Sequence, residues 1–149
     1  MTEPHYKKPD PFTKYVFNPI VAAFTRLGIS VWGSRVLEVR GRTSGQPRRT
    51  PVNLLTIDDA QYLVAPRGET HWVRNLRVAG DGALILGRRR QPFTGVEVAV
   101  ADRREILRAY LKRWKAEVGV FFDGVSAKSP DSELDRIAPD HPVFRITAG

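Results

Sequence analysis

Apolar and polar side chains alternate with a period of two in several short runs, separated by turns rich in glycine, proline and aspartate. Arg35 to Arg40 puts Leu37 and Val39 on one face and Glu38 and Arg40 on the other. Arg48 to Ile57 is again extended, and an Asp58-Asp59 turn leads into a strand from Gln61 to Ala65. Pro66-Arg67-Gly68 breaks that strand. Glu69 or Thr70 is placed to cap a helix from His71 to Val78, with Trp72 and Leu76 on its inner side and Gly80 closing it. Ala83 to Gly87 reads as a strand and Arg88-Arg89-Arg90 as a loop. Thr94 to Val100 follows as a strand with Val96, Val98 and Val100 facing inward. Asp102 and Glu105 are spaced like a capping box for a helix to about Lys115, whose buried face is Ile106, Leu107, Tyr110, Leu111 and Trp114. Val118 to Val125 is apolar without a single period. Ser129 to Ile137 predicts a short helix and Val143 to Thr147 a last strand.

At the front of the chain, residues 1–11 are polar and proline-bearing and are expected to be flexible. Tyr15, Val16, Ile20, Val21, Phe24 and Leu27 then recur at helical spacing, interrupted by Asn18-Pro19 and ended by Gly28. Residues 12–28 thus predict a helical lid packed over the core, with peripheral contact to a lipid surface as the alternative. Five or six strands joined by short turns, with helices at a few junctions, predict an α+β, mainly β fold. The expected form is a small closed or half-closed barrel, one domain over residues 1–149.

Composition narrows the partners. The chain of 149 residues has no cysteine, which excludes a disulfide framework and a thiolate metal site and fits a cytoplasmic setting. No stretch approaches a membrane span, and the start lacks a signal-peptide pattern. The net charge of +8 is uneven: residues 34–92 carry eleven basic and five acidic side chains, whereas residues 93–149 balance nine against nine. A localised anionic partner is expected at the centre of the chain rather than a uniformly basic surface.

The candidate chemistry lies in that central region. Gly41 and Gly45 bracket Arg42, Thr43 and Ser44, a turn expected to point amide N–H groups outward as an anion cradle. Arg48 and Thr50 share a face of the next strand, so Arg42 and Arg48 can converge on one polyanion. A second candidate anion site is Pro66-Arg67-Gly68, just ahead of a helix. Walker, GxGxxG, GxSxG and HExxH patterns are all missing, and His5, His71 and His141 are dispersed, so no metal is expected.

Gly41-Arg42-Thr43-Ser44-Gly45-Gln46-Pro47-Arg48, Thr50-Pro51, Ala65-Pro66-Arg67-Gly68, and Trp72 with Asn75-Leu76 occur together in that order. Over roughly Val36 to Val100 the chain resembles the deazaflavin-dependent nitroreductase family, split β-barrel proteins found in many actinobacteria. The resemblance implies an FMN-binding-like split barrel that uses reduced coenzyme F-420 as hydride donor. It implies that Arg42 and Arg48 hold the cofactor's phosphate and polyglutamate tail, with Arg67 at the same anionic region. Thr43, Ser44 and Gly45 match the turn between the two arginines. Thr50 belongs to the same motif, and Pro51 and Val52 match the strand along the cofactor. Pro66, Gly68, Trp72 and Asn75 match the loop and helix closing one side of the pocket, although Asn75 also suits a structural amide and Trp72 a core position.

The chain departs from the better-known branch where a tyrosine-bearing substrate pocket is replaced by Phe121, Phe122, Asp123 and Gly124. Phe121 and Phe122 are the candidate pocket wall for a flat apolar acceptor, a quinone or enone ahead of a nitro compound. Hydride chemistry carried by a cofactor needs no triad or metal in the protein. The alternatives are an FMN-dependent oxidoreductase on the same barrel, a cofactor carrier, and a nucleic-acid-binding barrel with Trp32, Trp72 and Trp114 as stacking candidates. The expected partner is a small-molecule acceptor, without nucleic acid, with self-association left open. The basic row Arg103, Arg104, Arg108, Lys112, Arg113 and Lys115 is expected to face solvent.

Overall fold

Six antiparallel strands close on themselves in the computed structural model, which describes residues 34–149, excluding the side chains of residues 115–118 and 120. The strands are β1 (Ser34–Arg40), β2 (Pro47–Ile57), β3 (Ala60–Val64), β4 (Asp81–Leu86), β5 (Arg89–Glu97) and β6 (Val143–Ala148). Around the barrel their order is β1-β2-β3-β6-β5-β4, so the last strand in sequence sits between the third and the fifth. Helix α1 (His71–Ala79) joins β3 to β4; α2 (Arg104–Val118) and α3 (Asp131–Ile137) lie between β5 and β6. The fold is a mainly β, split-barrel type, as the pattern of short runs predicts. The expected helical segment at residues 12–28 and Trp32 lie outside the described residues.

Register explains the two cores. Val39 lies opposite Arg48 and Leu37 opposite Thr50, whereas Glu38 lies opposite Arg49 and Val36 opposite Pro51. Facing residues of an antiparallel pair share a side, so these sets occupy opposite faces of the sheet. The inner face carries Leu37, Val39, Leu63, Leu84, Phe93, Phe144 and Ile146, and Val73 and Leu76 of α1 join that cluster. The outer face of β2, β3 and β6 carries Leu55, Val64 and Val143, which α2 and α3 cover with a second cluster. All five apolar residues predicted for the buried face of α2 are in it. At the end of α1, Gly80 adopts φ 74° and its N–H donates to Leu76 O, the left-handed stop that glycine makes without strain.

Several sequence expectations change in three dimensions. Arg89 and Arg90 are in β5 rather than a loop, because the β4–β5 reversal needs only Gly87 and Arg88. Val96 and Val100 are 71% and 44% exposed; Phe93 sets the inward phase of β5, which puts Val96 outside. Of the three valines expected inward, only Val98 packs against a core. Asp102 and Glu105 form no capping box: Asp102 ends a 3-10 turn, and Glu105 accepts a hydrogen bond from Arg108 instead. Arg103, expected in solvent, is 5% exposed, and Arg104 and Arg108 of the same row pair with Asp131 of α3. No helix among the described residues is long and apolar enough to cross a membrane.

Phe121 and Phe122 are core residues, not an open wall. Phe122 is fully enclosed, its ring stacked on His141 at 4.2 Å and tilted against Tyr110 at 6.1 Å. The 3-10 turn Gly119–Phe122 aims both phenylalanines into the cluster beneath α2. Phe122→Tyr should therefore lower stability by roughly 1–3 kcal/mol, since the added hydroxyl is buried without a designed partner. Urea denaturation measures this, and an unchanged midpoint would place the ring edge at a solvent-connected cavity.

Candidate functional site

The turn between β1 and β2 closes on itself through three amides. Gly41 N–H donates to Gln46 O (2.8 Å), Gly45 N–H to Gly41 O (2.9 Å) and Gln46 N–H to Ser44 Oγ (3.1 Å). Arg42 N–H donates to Asn75 Oδ1 of α1 (3.0 Å). Four of the turn's six N–H donors thus hold its shape or fasten it down, and only the exposed Thr43 and Ser44 amides keep the outward aspect expected of the cradle. Gly45, at φ 73°, takes the left-handed backbone that glycine adopts without strain, and a Cβ on Gly41 would come 2.9 Å from Ser44 Oγ, displacing the hydroxyl that caps Gln46. The same added Cβ would lie 3.6 Å from Arg48 Nε, so the Arg48 side chain folds back over the turn.

Asn75 joins the hairpin to the helix. It is 4% exposed, and its Oδ1 accepts from Arg42 Nη1 (2.8 Å) as well as from the Arg42 amide. Arg42 Nη2 lies 3.4 Å from His71 Nδ1, one helical turn before Asn75. His71 was not expected at the site; its i, i+4 spacing from Asn75 is the sequence signal that places both on one face. Part of the Arg42 guanidinium is thus committed to the scaffold.

On β2, Arg48, Thr50 and Val52 share the inner face, where Arg48 is exposed and the other two half-buried. Pro51 lies on the opposite face with Val36, so its side chain is not brought to the others. Arg48 takes part in none of the ion pairs among the described residues. Trp72 is partly buried, tilted against Phe144 at 6.0 Å, and packs on the inner cluster. Trp114 is 1% exposed and unable to stack on a ligand.

The loop carrying Pro66, Arg67 and Gly68 is clasped from both sides. Ala65 N–H donates to Pro142 O (2.9 Å), and buried His141 Nδ1 lies 3.0 Å from Ala65 O, a contact that makes His141 the donor. Gly68 N–H returns to Ala65 O (3.2 Å), so this amide too is used within the loop, and Gly68 has φ 83°. Thr70 occupies the N-cap of α1 without a side-chain cap bond, and its Oγ1 is buried with no hydrogen-bond partner among the described residues. Such an orphan costs about 1–3 kcal/mol unless a ligand or water meets it.

Behind the loop runs a chain of charges. Arg77 pairs with Glu69 and Glu97, and Arg103 adds a third contact to Glu97 (3.2 Å). Hydrogen bonds from Arg77 hold the Glu97 carboxyl below the usual glutamate range against the opposing effect of burial, with Arg103 assisting. Among the described residues there is no group of three or more His, Cys, Asp or Glu positioned for a metal. The structure thus brings Arg42, Arg48, Asn75 and His71 to one mouth of the barrel. It offers positive charge, a buried hydroxyl and a half-buried inner face, and no nucleophile–base pair.

Residues 22–130 match the family model described as F420H(2)-dependent quinone reductase. Among curated proteins, no sequence matches the chain significantly. In three dimensions the chain is similar to Atu2129 of Agrobacterium tumefaciens, of unknown function, at 14% identity and a TM-score of 0.56. That match covers 98% of this chain and 59% of the other, so the chain spans less than two thirds of Atu2129. It is similar to FDR-A, an F420-H2 dependent reductase, at 18% identity and a TM-score of 0.52, covering 77% and 94% of the two chains. It is also similar to Rv2991 of Mycobacterium tuberculosis, at 16% identity and a TM-score of 0.51, covering 99% and 85%. At such identities these structures establish a shared fold.

Two outcomes follow from the geometry. Asn75→Ala should cost about 1–3 kcal/mol by leaving the Arg42 donors unmet, with less loss for Asn75→Asp, which keeps an acceptor. Hydrogen exchange should show the Arg42 amide losing protection while strand amides keep theirs. The Glu97 pair stabilises the fold above the ordinary carboxylate range, and its contribution is lost as pH falls through that range into the lowered folded value. The stability difference between wild type and Glu97→Gln should accordingly shrink below about pH 4.

Proposed function

The chain belongs to the F420H(2)-dependent quinone reductase family, and from that premise we propose that it transfers hydride from reduced coenzyme F-420 to an electron-poor acceptor of quinone or enone type. The observation that carries the cofactor reading is Arg48: exposed, without an ion pair among the described residues, and folded over a turn fixed by Arg42 and Asn75. A phosphate and several carboxylates suit that cation and the outward part of Arg42 better than a single phosphate does. When bound, the reduced deazaflavin supplies the hydride.

The protein's own residues have simpler tasks. Arg48 and Arg42 hold anionic groups at the mouth, and Arg42 is pre-oriented because Asn75 fixes one of its nitrogens. Thr50 and Val52 present a half-buried surface along β2. Trp72 closes the inner core beneath them. The quinone in the family description supports the acceptor class; Phe121 and Phe122 give it no support, since both are packed in the core.

Arg48→Ala should weaken F-420 binding by about 1–3 kcal/mol, whereas Arg104→Ala on α2 should leave it unchanged. Fluorescence quenching reads both, and equal or tighter binding of FMN would overturn the cofactor preference. Oxidation of reduced F-420 should proceed with menadione and cyclohexenone ahead of a bicyclic nitroimidazole. Tight binding without turnover of any acceptor would make the protein a cofactor carrier.

A further inference from the structure

Glu69 follows directly on Pro66-Arg67-Gly68, which makes it the acidic residue of a loop otherwise suited to anions. Its carboxylate is nevertheless engaged within the protein. Arg77, eight residues on, donates from Nη1 to Glu69 Oε2 (3.1 Å) and from Nη2 to Glu69 Oε1 (2.9 Å). This is not a helical i, i+4 pair, because Glu69 precedes α1. The loop must double back for the two to meet, and Gly68 at φ 83° with Thr70 N–H on Gly68 O (2.8 Å) makes that reversal.

Arg77 cannot follow the carboxylate outward, because it is held from behind. Its Nε and Nη2 donate to the two oxygens of Glu97, each at 2.8 Å. Glu97 in turn meets Arg103, whose other nitrogens donate to Val98 O and Ala138 O (2.9 Å each). The four side chains alternate in sign from the loop to the C-terminal layer, and their charges cancel. A surface ion pair of this exposure adds little stability alone, so the arrangement calls for another use.

We infer that Arg77 is a positioning residue for anion binding: by holding the Glu69 carboxylate against α1, it prevents that charge from opposing an anionic ligand held by Arg48 and by Arg42, whose guanidinium lies against His71 two residues beyond Glu69. The inference rests on the cofactor reading above. Arg77 acts through Glu69 and does not itself touch the ligand.

Charge-balanced double variants test it. Binding of F-420 with a long glutamate tail, and of the form lacking the glutamates, is measured by fluorescence quenching at low and high salt. Arg77→Met should weaken the long-tailed form about three- to tenfold at low salt, with a smaller effect at high salt and on the tailless form. Adding Glu69→Gln should restore affinity to within about twofold of wild type. Adding Glu97→Gln instead restores the same net charge but leaves Glu69 bare, and should not rescue. Glu69→Gln alone leaves Arg77 partly uncompensated and should bind the long-tailed form as tightly as wild type or a few-fold tighter at low salt; this arm holds even if Arg77→Met fails to fold. Rescue by neither or by both double variants, or a Glu69→Gln that binds more weakly than wild type, overturns the inference. Arg48→Ala is the control: if it binds as wild type does, or if wild type binds no F-420, the cofactor reading falls and takes this inference with it. Loss of binding in Arg48→Ala with an unrescued Arg77→Met overturns the inference alone.

Discussion

One oxygen atom fixes the mouth of the barrel. Asn75 Oδ1 is buried and takes two hydrogen bonds from the same residue, the amide and the guanidinium of Arg42. A buried acceptor with a charged donor is costly to leave unmade, so the tip of the β1–β2 hairpin is tied to α1. That tie sets where Arg48 emerges, since its side chain lies against the Gly41 backbone. It also restrains α1, whose Val73 and Leu76 fill the inner core from the same end.

The positive charge of the central region is narrower in space than in sequence. Arg40 pairs with Asp81, and Arg49 and Arg90 both grip Glu38 on the outer face. Burial alone would favour protonation of Glu38, but those two arginines outweigh it and hold its carboxyl below the usual range. Arg77 is taken up by two glutamates. What distinguishes Arg48 from these neighbours is its place on the inner face, opposite Val39, where no carboxylate faces it in the strand register.

The barrel was legible in the sequence wherever alternation was strict and turns were marked, as in β1, β2, β3 and the glycine stop of α1. It failed in β5, where Val96, Val98 and Val100 looked like one buried face. Phe93 sets the phase there, and the strand ends at Glu97, so period two no longer applies beyond it. Arg103 was misread because a lone basic residue in a basic row carries no sign of its buried carbonyl partners, Val98 and Ala138, the latter thirty-five residues away. At the site, the pairing of Arg42 with Arg48 follows from the turn and the strand period, and Asn75 joins them through family resemblance, whereas the bonds that take up four of the turn's amides form a pattern that composition does not encode. Phe121 and Phe122 looked like a pocket wall for want of a visible period; a 3-10 turn following a helix supplies the burial instead.

The strand order has a consequence for how the chain is made. β6 alone joins β3 to β5, and it is the last element described. During vectorial synthesis the first five strands emerge as an open sheet with two bare edges, and the ring stays unclosed until Val143–Ala148 arrives. Those edges are templates for pairing with another chain, and closing them requires contacts between residues roughly eighty positions apart, such as Leu63 with Phe144. The nascent chain is thus most open to strand exchange during the time needed to synthesise α2 and α3.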